Sequence, residues 1–270
     1  MKNVYDHKDF FEQYETMRGQ EVNANNLIEI PIMKSILPKV KNKTILDLGC
    51  GTGDMDEFFI QNGAKHVVAT DISKNMILKA QKKHPSKKID FQILKMENLS
   101  KLEGKFDIVY SSLAFHYVKD FNKLIKNIYN LLKPNGILVF SQESPIALAP
   151  IFENETDTKK VYIGEKQYNL LSDYCNEGER NNYWNGIKVT KYHRTYITLI
   201  KTLLKNNFEI IDMLDSYASK RAIELCDKYK HPKDKPFFVF FKVKKKSVWN
   251  NFQTFFFVIQ VSFVLVRTPF

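Results

Sequence analysis

Residues 44–53 have the sequence TILDLGCGTG, in which a short apolar run is followed by three glycines at alternate positions. The apolar run predicts a buried strand, Thr44–Leu48, with an acid, Asp47, near its end. Glycine lets the backbone bend sharply and approach a ligand closely, because no Cβ intervenes. Such a turn at the carboxyl end of a parallel strand is where nucleotide-like cofactors bind in doubly wound sheets.

The spacing of these glycines distinguishes between two classes of cofactor. The dinucleotide pattern is G-x-G-x-x-G, which places a pyrophosphate on a helix N-terminus. Here Gly49, Gly51 and Gly53 are followed by Asp54, which takes the sixth position. A carboxylate suits the start of a helix but repels a pyrophosphate placed there. The turn therefore disfavours a nicotinamide dehydrogenase and favours S-adenosylmethionine, with Asp47 expected near the cationic end of its methionine moiety.

A second apolar strand, His66–Thr70, ends at another acid, Asp71, which follows Gly49 by 22 residues. An acid at about this offset accepts hydrogen bonds from ribose hydroxyls, in nicotinamide and adenosyl cofactors alike. We expect this role for Asp71. The alternative is that Asp71 caps the helix that begins near Lys74.

Strand and helix patterns alternate along the rest of the chain, which predicts an α/β fold with a parallel sheet and helices on both faces. The other predicted strands are Asp90–Leu94, Phe106–Tyr110, Gly136–Ser141, Phe208–Met213 and Phe237–Val243. The predicted helices are Asp54–Asn62, Lys74–Lys83, Phe121–Leu132 and Tyr196–Asn206. Lys133–Gly136 is predicted to be a turn before the fifth strand.

Four ordered motifs within residues 44–141 resemble those of class I S-adenosylmethionine-dependent methyltransferases: ILDLGCGTG, VVATDIS, FDIVYSSLAFHYVKD and LLKPNGILVFS. The flanking segments YDHKDFFEQYETMRG and EGERNNYWNGIKVTKYHRTY are similar to a bacterial-type branch that acts on small molecules. The resemblance implies a Rossmann-like sheet of seven strands, mostly parallel, with the last strand antiparallel. It also implies S-adenosylmethionine as cofactor.

The resemblance implies a set of cofactor-binding residues on the glycine turn and on the loops after the next three strands. The loop after the third strand has Lys95 where the family often has Asp, and we expect Met96 to pack on the adenine ring. The alternative for that loop is that it is simply exposed. The expected cofactor ligands are Asp47, Gly49, Cys50, Gly51, Gly53, Asp71, Ile72, Met76, Met96, Glu97, Ser111 and Leu113.

The acceptor side is predicted from polar and aromatic residues around the fourth strand and from the two flanking segments. His116 is the candidate proton acceptor near the reacting methyl, because imidazole titrates near neutral pH; the alternative is that it only holds its loop. Phe11, Tyr14 and Arg18 share a helical face, which could close over a carboxylate or could simply pack. The expected acceptor ligands are Tyr5, Tyr14, Arg18, His116, Tyr117, Arg180, His193 and Arg194.

Composition limits the partners and the location. The formal net charge is +11, but the lysines are dispersed, so nucleic acid is not the expected partner. Three scattered cysteines indicate a reducing cytoplasm and match no metal motif. We therefore predict a cytoplasmic enzyme, monomeric or homodimeric, with a small-molecule acceptor and no metal. A tRNA or rRNA methyltransferase and a non-catalytic S-adenosylmethionine-binding protein remain the alternatives.

The predicted organisation has three parts. Residues 1–40 form an N-terminal lid, and residues 41–246 form the methyltransferase domain, with a cap inserted at about 142–194. Residues 247–270 form an apolar tail whose uninterrupted run is shorter than the roughly 20 residues of a membrane-spanning helix. The expectation is a packed appendage or an oligomer contact, with weak membrane contact as the alternative.

Overall fold

The computed structural model describes residues 4–151, 160–169, 171–184, 187–226, 229 and 236–247. Apart from Ser247, the predicted apolar tail lies outside these described residues. Within them, no helix combines the length and the apolar character that crossing a bilayer requires. The three cysteines are free thiols.

Seven strands form one sheet, as predicted, and two further hairpins lie between its fifth and sixth strands. The sheet strands are β1 (Thr44–Leu48), β2 (His66–Asp71), β3 (Ile89–Ile93), β4 (Phe106–Ser111), β5 (Leu132–Glu143), β10 (Phe208–Asp215) and β11 (Phe238–Lys245). The hairpins are β6 (Lys160–Ile163) with β7 (Lys166–Asn169), and β8 (Gly178–Trp184) with β9 (Ile187–His193).

Eight α-helices flank these strands in the described residues. They are α1 (Lys8–Gly19), α2 (Ile30–Ile36), α3 (Asp54–Gln61), α4 (Lys74–Lys83), α5 (Phe121–Leu131), α6 (Pro145–Leu148), α7 (Tyr196–Lys205) and α8 (Lys220–Leu225). Short 3-10 turns lie at Val4–Asp6, Met96–Lys101 and Phe115–Tyr117, and one π-helical turn lies at Asn25–Glu29. Side-chain caps at Ser73, Asp120, Thr195 and Ser219 fix the starts of four helices.

The strand order is β10-β11-β5-β4-β1-β2-β3. Strands β1 to β5 are parallel to one another, whereas β11 runs antiparallel to both β5 and β10. The chain moves outward from β1 to β3 and then returns to place β4 on the other side of β1. A crevice therefore opens between the carboxyl ends of β1 and β4, the position at which such sheets bind ligands.

Apolar side chains on the two faces of the sheet form two separate core clusters. Neighbouring residues of β1 divide between them, because successive strand side chains point to opposite faces. Leu46 packs with α5 and α7, whereas Ile45 packs with α2 and α3. Helices thus cover both faces, as the alternating sequence pattern predicted.

One local prediction was wrong. Residues 133–136 were expected to form a turn before the fifth strand, but β5 already begins at Leu132, which pairs with Phe106 of β4. The predicted turn residues form an irregularity inside the strand. Asn135 has φ of +62°, and the pairing register shifts between Phe106 and Ile108. Residues 133–136 of β5 thus stand opposite the single residue Asp107 of β4, so the strand accommodates three extra residues between its first pair and the next.

Candidate active site

A cavity of about 1010 Å³ lies over the carboxyl ends of β1 and β4. Three separate parts of the chain form its wall: the glycine turn with the loops after β2, β3 and β4, the N-terminal helix, and the β8–β9 hairpin. Fourteen of the predicted site residues line it: Tyr5, Tyr14, Arg18, Asp47, Gly49, Cys50, Gly51, Asp71, Ile72, Met76, Met96, Glu97, Leu113 and Tyr117.

The glycine turn leaves room that no other residue would leave. All three glycines have φ between +55° and +80°, a region that L side chains rarely adopt. A Cβ on Gly49 would lie 2.6 Å from Cβ of Ala114, and one on Gly53 would lie 2.9 Å from the Phe91 ring. A Cβ on Gly51 would meet nothing within 4 Å, because this residue borders open cavity. The turn therefore forms a cradle that fits a flat or extended ligand, and Gly53, outside the wall, starts α3.

Asp71 connects this cradle to β2. Its carboxylate accepts hydrogen bonds from the backbone N–H of Gly51 at 3.1 Å and of Ser73 at 2.8 Å. Ser73, rather than Asp71, caps helix α4 by accepting from the N–H of Met76. The capping alternative is therefore wrong, and Asp71 stands in the cavity wall with lone pairs left for hydroxyl donors. Burial raises its pKa.

Asp47, at the end of β1, also faces the cavity and is only 2% exposed. Its Oδ1 has no hydrogen-bond partner except for the carboxyl group of Asp56, which lies fully buried behind it in the first turn of α3. Burial and the neighbouring Asp56 raise the pKa of Asp47 well above its ordinary value. Asp54, two residues before Asp56, is exposed and pairs with Lys83, which lowers its pKa.

The loop after β4 is held from behind by a residue that the sequence analysis missed. Glu29, with no exposed surface, accepts hydrogen bonds from the hydroxyls of Ser112 at 2.8 Å and Ser141 at 2.5 Å. Ser141 in turn accepts from the N–H of Leu113, whose φ is +50°. An available signal was helical spacing, because Glu29 stands three, four and seven residues before the buried Ile32, Met33 and Ile36.

Ser111 supports the same loop without reaching the cavity. Its hydroxyl donates to the carbonyl of Leu48 at 2.7 Å, across from β4 to β1. Ser111 therefore does not make the predicted contact with the cofactor. Its hydrogen bond instead holds the ends of β1 and β4 together at the crevice.

Three tyrosines form an aromatic wall between the N-terminal segment and the loop after β4. The Tyr5 hydroxyl donates to the Tyr117 hydroxyl at 3.1 Å, and the Tyr5 ring meets those of Tyr14 and Phe10 edge-on at 5.2 Å. Burial raises the pKa of the tyrosines, so they stay neutral phenols. The expected helical face differs by one position: Phe10 is buried, whereas Phe11 packs against Lys79 outside the cavity.

Arg18, on the same helix, lines the cavity beside Tyr14 and lies within electrostatic reach of Glu29. Its Nη1 is buried and has no hydrogen-bond partner among the described residues. A buried guanidinium nitrogen without an acceptor is costly, and carboxylates are its preferred partners. The cavity therefore offers one site for a ligand carboxylate.

His116 lies behind the cavity wall and is 2% exposed. Its Nδ1 accepts a hydrogen bond from the N–H of Glu143 at 3.3 Å. Burial lowers its pKa to about 3, and neighbouring Lys191, paired with Glu143, acts in the same direction. The histidine is therefore a neutral strut for its loop, and the structure does not support the predicted role as proton acceptor.

Three predicted acceptor ligands of the cap are also occupied elsewhere. Arg180 donates to the carbonyls of Ala149 and Asn176, and His193 bonds to the carbonyl of Tyr174. Arg194 donates to the carbonyl of Lys119 at 3.0 Å. The cap residues that do line the cavity are Glu179, Lys188, Val189, Thr190 and Tyr192.

Comparison with known proteins agrees with this geometry. Residues 46–140 match a family model described as a methyltransferase domain. A Haemophilus influenzae protein of unassigned function is 35% identical over 90% of this chain and 97% of its own length. The crystal structure of a proposed S-adenosylmethionine-dependent methyltransferase from Listeria monocytogenes has a TM-score of 0.71 and 30% identity, covering 81% of this chain and 97% of that one.

A further relative is a malonyl-[acyl-carrier protein] O-methyltransferase from Bacillus anthracis, 32% identical over 48% of this chain. The chain spans about half the length of that relative, 52%. The fold, the glycine cradle and these matches agree on one cofactor, S-adenosylmethionine. The chain belongs to the class I S-adenosylmethionine-dependent methyltransferases.

Proposed function

We propose that this enzyme methylates a small-molecule acceptor held between the aromatic wall and the β8–β9 hairpin, and that the acceptor presents an ionised carboxylate oxygen. The cavity of about 1010 Å³ is of the size that encloses small ligands, and walls on three sides exclude water from them. The Arg18 guanidinium supports the presence of a carboxylate in the bound ligands.

When bound, the cofactor would supply an activated methyl group, which passes to the acceptor oxygen as the C–S bond breaks and sulfur keeps the electron pair as a neutral sulfide. The protein's own contribution is alignment and exclusion of water. In the proposed arrangement the Gly49–Thr52 turn holds the methionine moiety, Asp71 accepts from ribose hydroxyls, and Ile72, Met76 and Met96 pack against the adenine.

The choice of a carboxylate as the acceptor group rests on the buried, neutral state of His116. A nucleophile that holds a proton needs a base within reach, and this histidine is buried, neutral and already bonded through Nδ1. A carboxylate needs no base, because it is ionised at neutral pH. The malonyl relative supports the same class, since a malonyl group carries a carboxyl and that enzyme is named as an O-methyltransferase.

The test is transfer of labelled methyl from S-adenosylmethionine to a metabolite extract, followed by mild alkali. A methyl ester releases its label as volatile methanol, whereas N-methyl and ether products keep theirs. We expect alkali-labile label in the small-molecule fraction, and none with Gly51→Arg, which fills the open cradle.

Each other outcome contradicts part of the proposal. Alkali-stable label in small molecules would replace the carboxylate by another nucleophile. Nuclease-sensitive label that falls steeply with salt would identify an RNA methyltransferase. Cofactor binding without transfer to either pool would identify a non-catalytic binding protein.

A further inference from the structure

Asp47 and Asp56 form a hydrogen-bonded pair of carboxyl groups directly behind the glycine cradle. Asp56 has no exposed surface and Asp47 only 2%, and only Asp47 reaches the cavity. Apart from each other, Asp47 Oδ1 and both oxygens of Asp56 have no hydrogen-bond partner in the described part of the chain. Two carboxyl groups can bond to each other only when a proton lies between them, so the pair holds at least one proton, and it holds a second when both groups are neutral.

The groups that face this pair are acids or neutral donors. Asp71 and Glu29 approach Asp47 from β2 and from the N-terminal segment, and Asp54 approaches Asp56 from its own helix. Burial raises the pKa of Cys50, in the turn, and of Tyr110, on β4, and the negative charge of the nearby acids, this pair among them, raises both further. No lysine, arginine or histidine of the described residues forms an ion pair with either aspartate.

We propose that Asp56, through the proton that it shares with Asp47, sets the preference of the cofactor site for the cationic methyl donor over its demethylated product. The two differ by one positive charge, because a sulfonium becomes a neutral sulfide when the methyl leaves. A cation bound beside Asp47 Oδ1 favours the singly ionised pair, so a pair that holds two protons releases the second one to solvent on binding and keeps the shared one. Once that charge is gone, the pair takes a proton back from solvent and holds the product less tightly.

The role of Asp56 is that of a specificity-determining residue that acts through Asp47 without touching the ligand. It depends on the identity of the cofactor, which the family establishes, and is independent of the acceptor.

Linkage gives the size of the effect. Burial raises the pKa of Asp56 to about 7. If the donor binds only the ionised pair, its affinity rises about tenfold between pH 6 and pH 8, because the fraction of protein that holds the extra proton falls over that range. The affinity for S-adenosylhomocysteine changes less, so the ratio of the two affinities rises with pH.

The experiment is titration calorimetry of S-adenosylmethionine and S-adenosylhomocysteine at pH 6, 7 and 8, in buffers of different ionisation enthalpy. We expect the wild type to release close to one more proton with the donor than with the product at pH 6, and about half a proton more at pH 7, because about half of the protein holds the extra proton at its pKa. Asp56→Asn should abolish that difference and flatten the pH dependence of the affinity ratio. Glu57→Gln, which removes a charge one residue along the same helix but outside the cavity, should match the wild type.

The cofactor's own ammonium titrates in this range, but it does so equally in all three proteins, so the comparison between variants isolates the pair. Equal proton release for donor and product in the wild type would overturn the proposal without any variant. Persistence of the difference in Asp56→Asn would overturn it as well.

Discussion

At the scale of single residues, the cofactor end of the site contains acids whose pKa is raised, so that their ionisation is unfavourable in the folded protein. Asp47, Asp56 and Glu29 are buried and Asp71 is partly buried, and loss of contact with water raises the pKa of each. By contrast, Asp107, at the opposite end of β4, bonds to Thr44 and Lys133, which lower its pKa to about 2. Ionised carboxylates thus destabilise the folded protein where the cationic cofactor binds. The Asp107 carboxylate, far from that site, stabilises it.

This contrast predicts that stability depends on pH through Asp56, and not through Asp107, between pH 5 and pH 8. A carboxyl whose folded pKa is raised contributes stability below its unfolded pKa near 4, and loses that contribution as pH rises to about 7. Asp56 should therefore cost the wild type about 3 kcal/mol of unfolding free energy between pH 5 and pH 8, at 1.36 kcal/mol per pH unit over the two units below its folded pKa. Asp56→Asn should remove this loss and raise the melting temperature at pH 8 relative to the wild type.

The matched comparison is Asp107→Asn, measured by thermal unfolding over the same range. The ordinary and lowered pKa values of Asp107 both lie below pH 5, so its loss should destabilise the protein by the same amount at pH 5 and pH 8. A pH-dependent cost for Asp107→Asn, or a pH-independent effect of Asp56→Asn, would contradict the assignment of the two carboxyl groups.

At the scale of elements, the N-terminal segment is joined to the sheet through one buried side chain. Glu29 ends a π-helical turn, a feature that often marks functional sites, and its two hydroxyl donors lie on the loop after β4 and on β5. The helix that carries Tyr14 and Arg18 is therefore connected, through Glu29, to the loop that carries Ser112 and Leu113.

We predict that Glu29→Ala loosens this segment while leaving the sheet folded. The change leaves two buried hydroxyls without their acceptor, at a cost of about 2–4 kcal/mol. Limited trypsin digestion should then cut after Arg18 or Lys34 much faster than in the wild type, and the large fragment that follows the cut should persist. Ser35→Ala, an exposed change on the same helix as Ile32, should leave the digestion rate unchanged; equal rates for Glu29→Ala and the wild type would contradict the link.

The elements that could be predicted from sequence are those whose signal is local. The five parallel strands and helices α3, α4, α5 and α7 were predicted because buried strands are continuous apolar runs and capped amphipathic helices have a clear period. The hairpin β8–β9 was not, because its strands, GERNNYW and IKVTKYH, alternate polar residues that pair across the hairpin without an apolar run.

At the scale of the whole molecule, the site residues also divide into those that local sequence patterns predicted and those that they did not. The glycine turn and Asp71 were predicted because their chemistry is fixed by spacing along one βαβ unit. Glu29 and Asp56 were not, since burial of an acid depends on which distant segments cover it. In the cap, Arg180, His193 and Arg194 were selected by residue type, but backbone carbonyls of neighbouring loops use them instead.

The cavity wall comes from three parts of the chain that are far apart in sequence, which predicts how binding spreads through the molecule. S-adenosylmethionine should slow amide hydrogen exchange in the glycine turn and also in α1, because closing the cavity requires the helix that carries Tyr14 and Arg18 to stay docked. Adding an acceptor should extend the protection to β9, which carries Val189 and Tyr192. The hairpin β6–β7 is an internal control, because none of its described side chains lines the cavity and Tyr162 and Ile163 are about two thirds exposed. Mass-spectrometric exchange would check this, and protection confined to Gly49–Asp54 would mean that the N-terminal helix does not close over the cofactor.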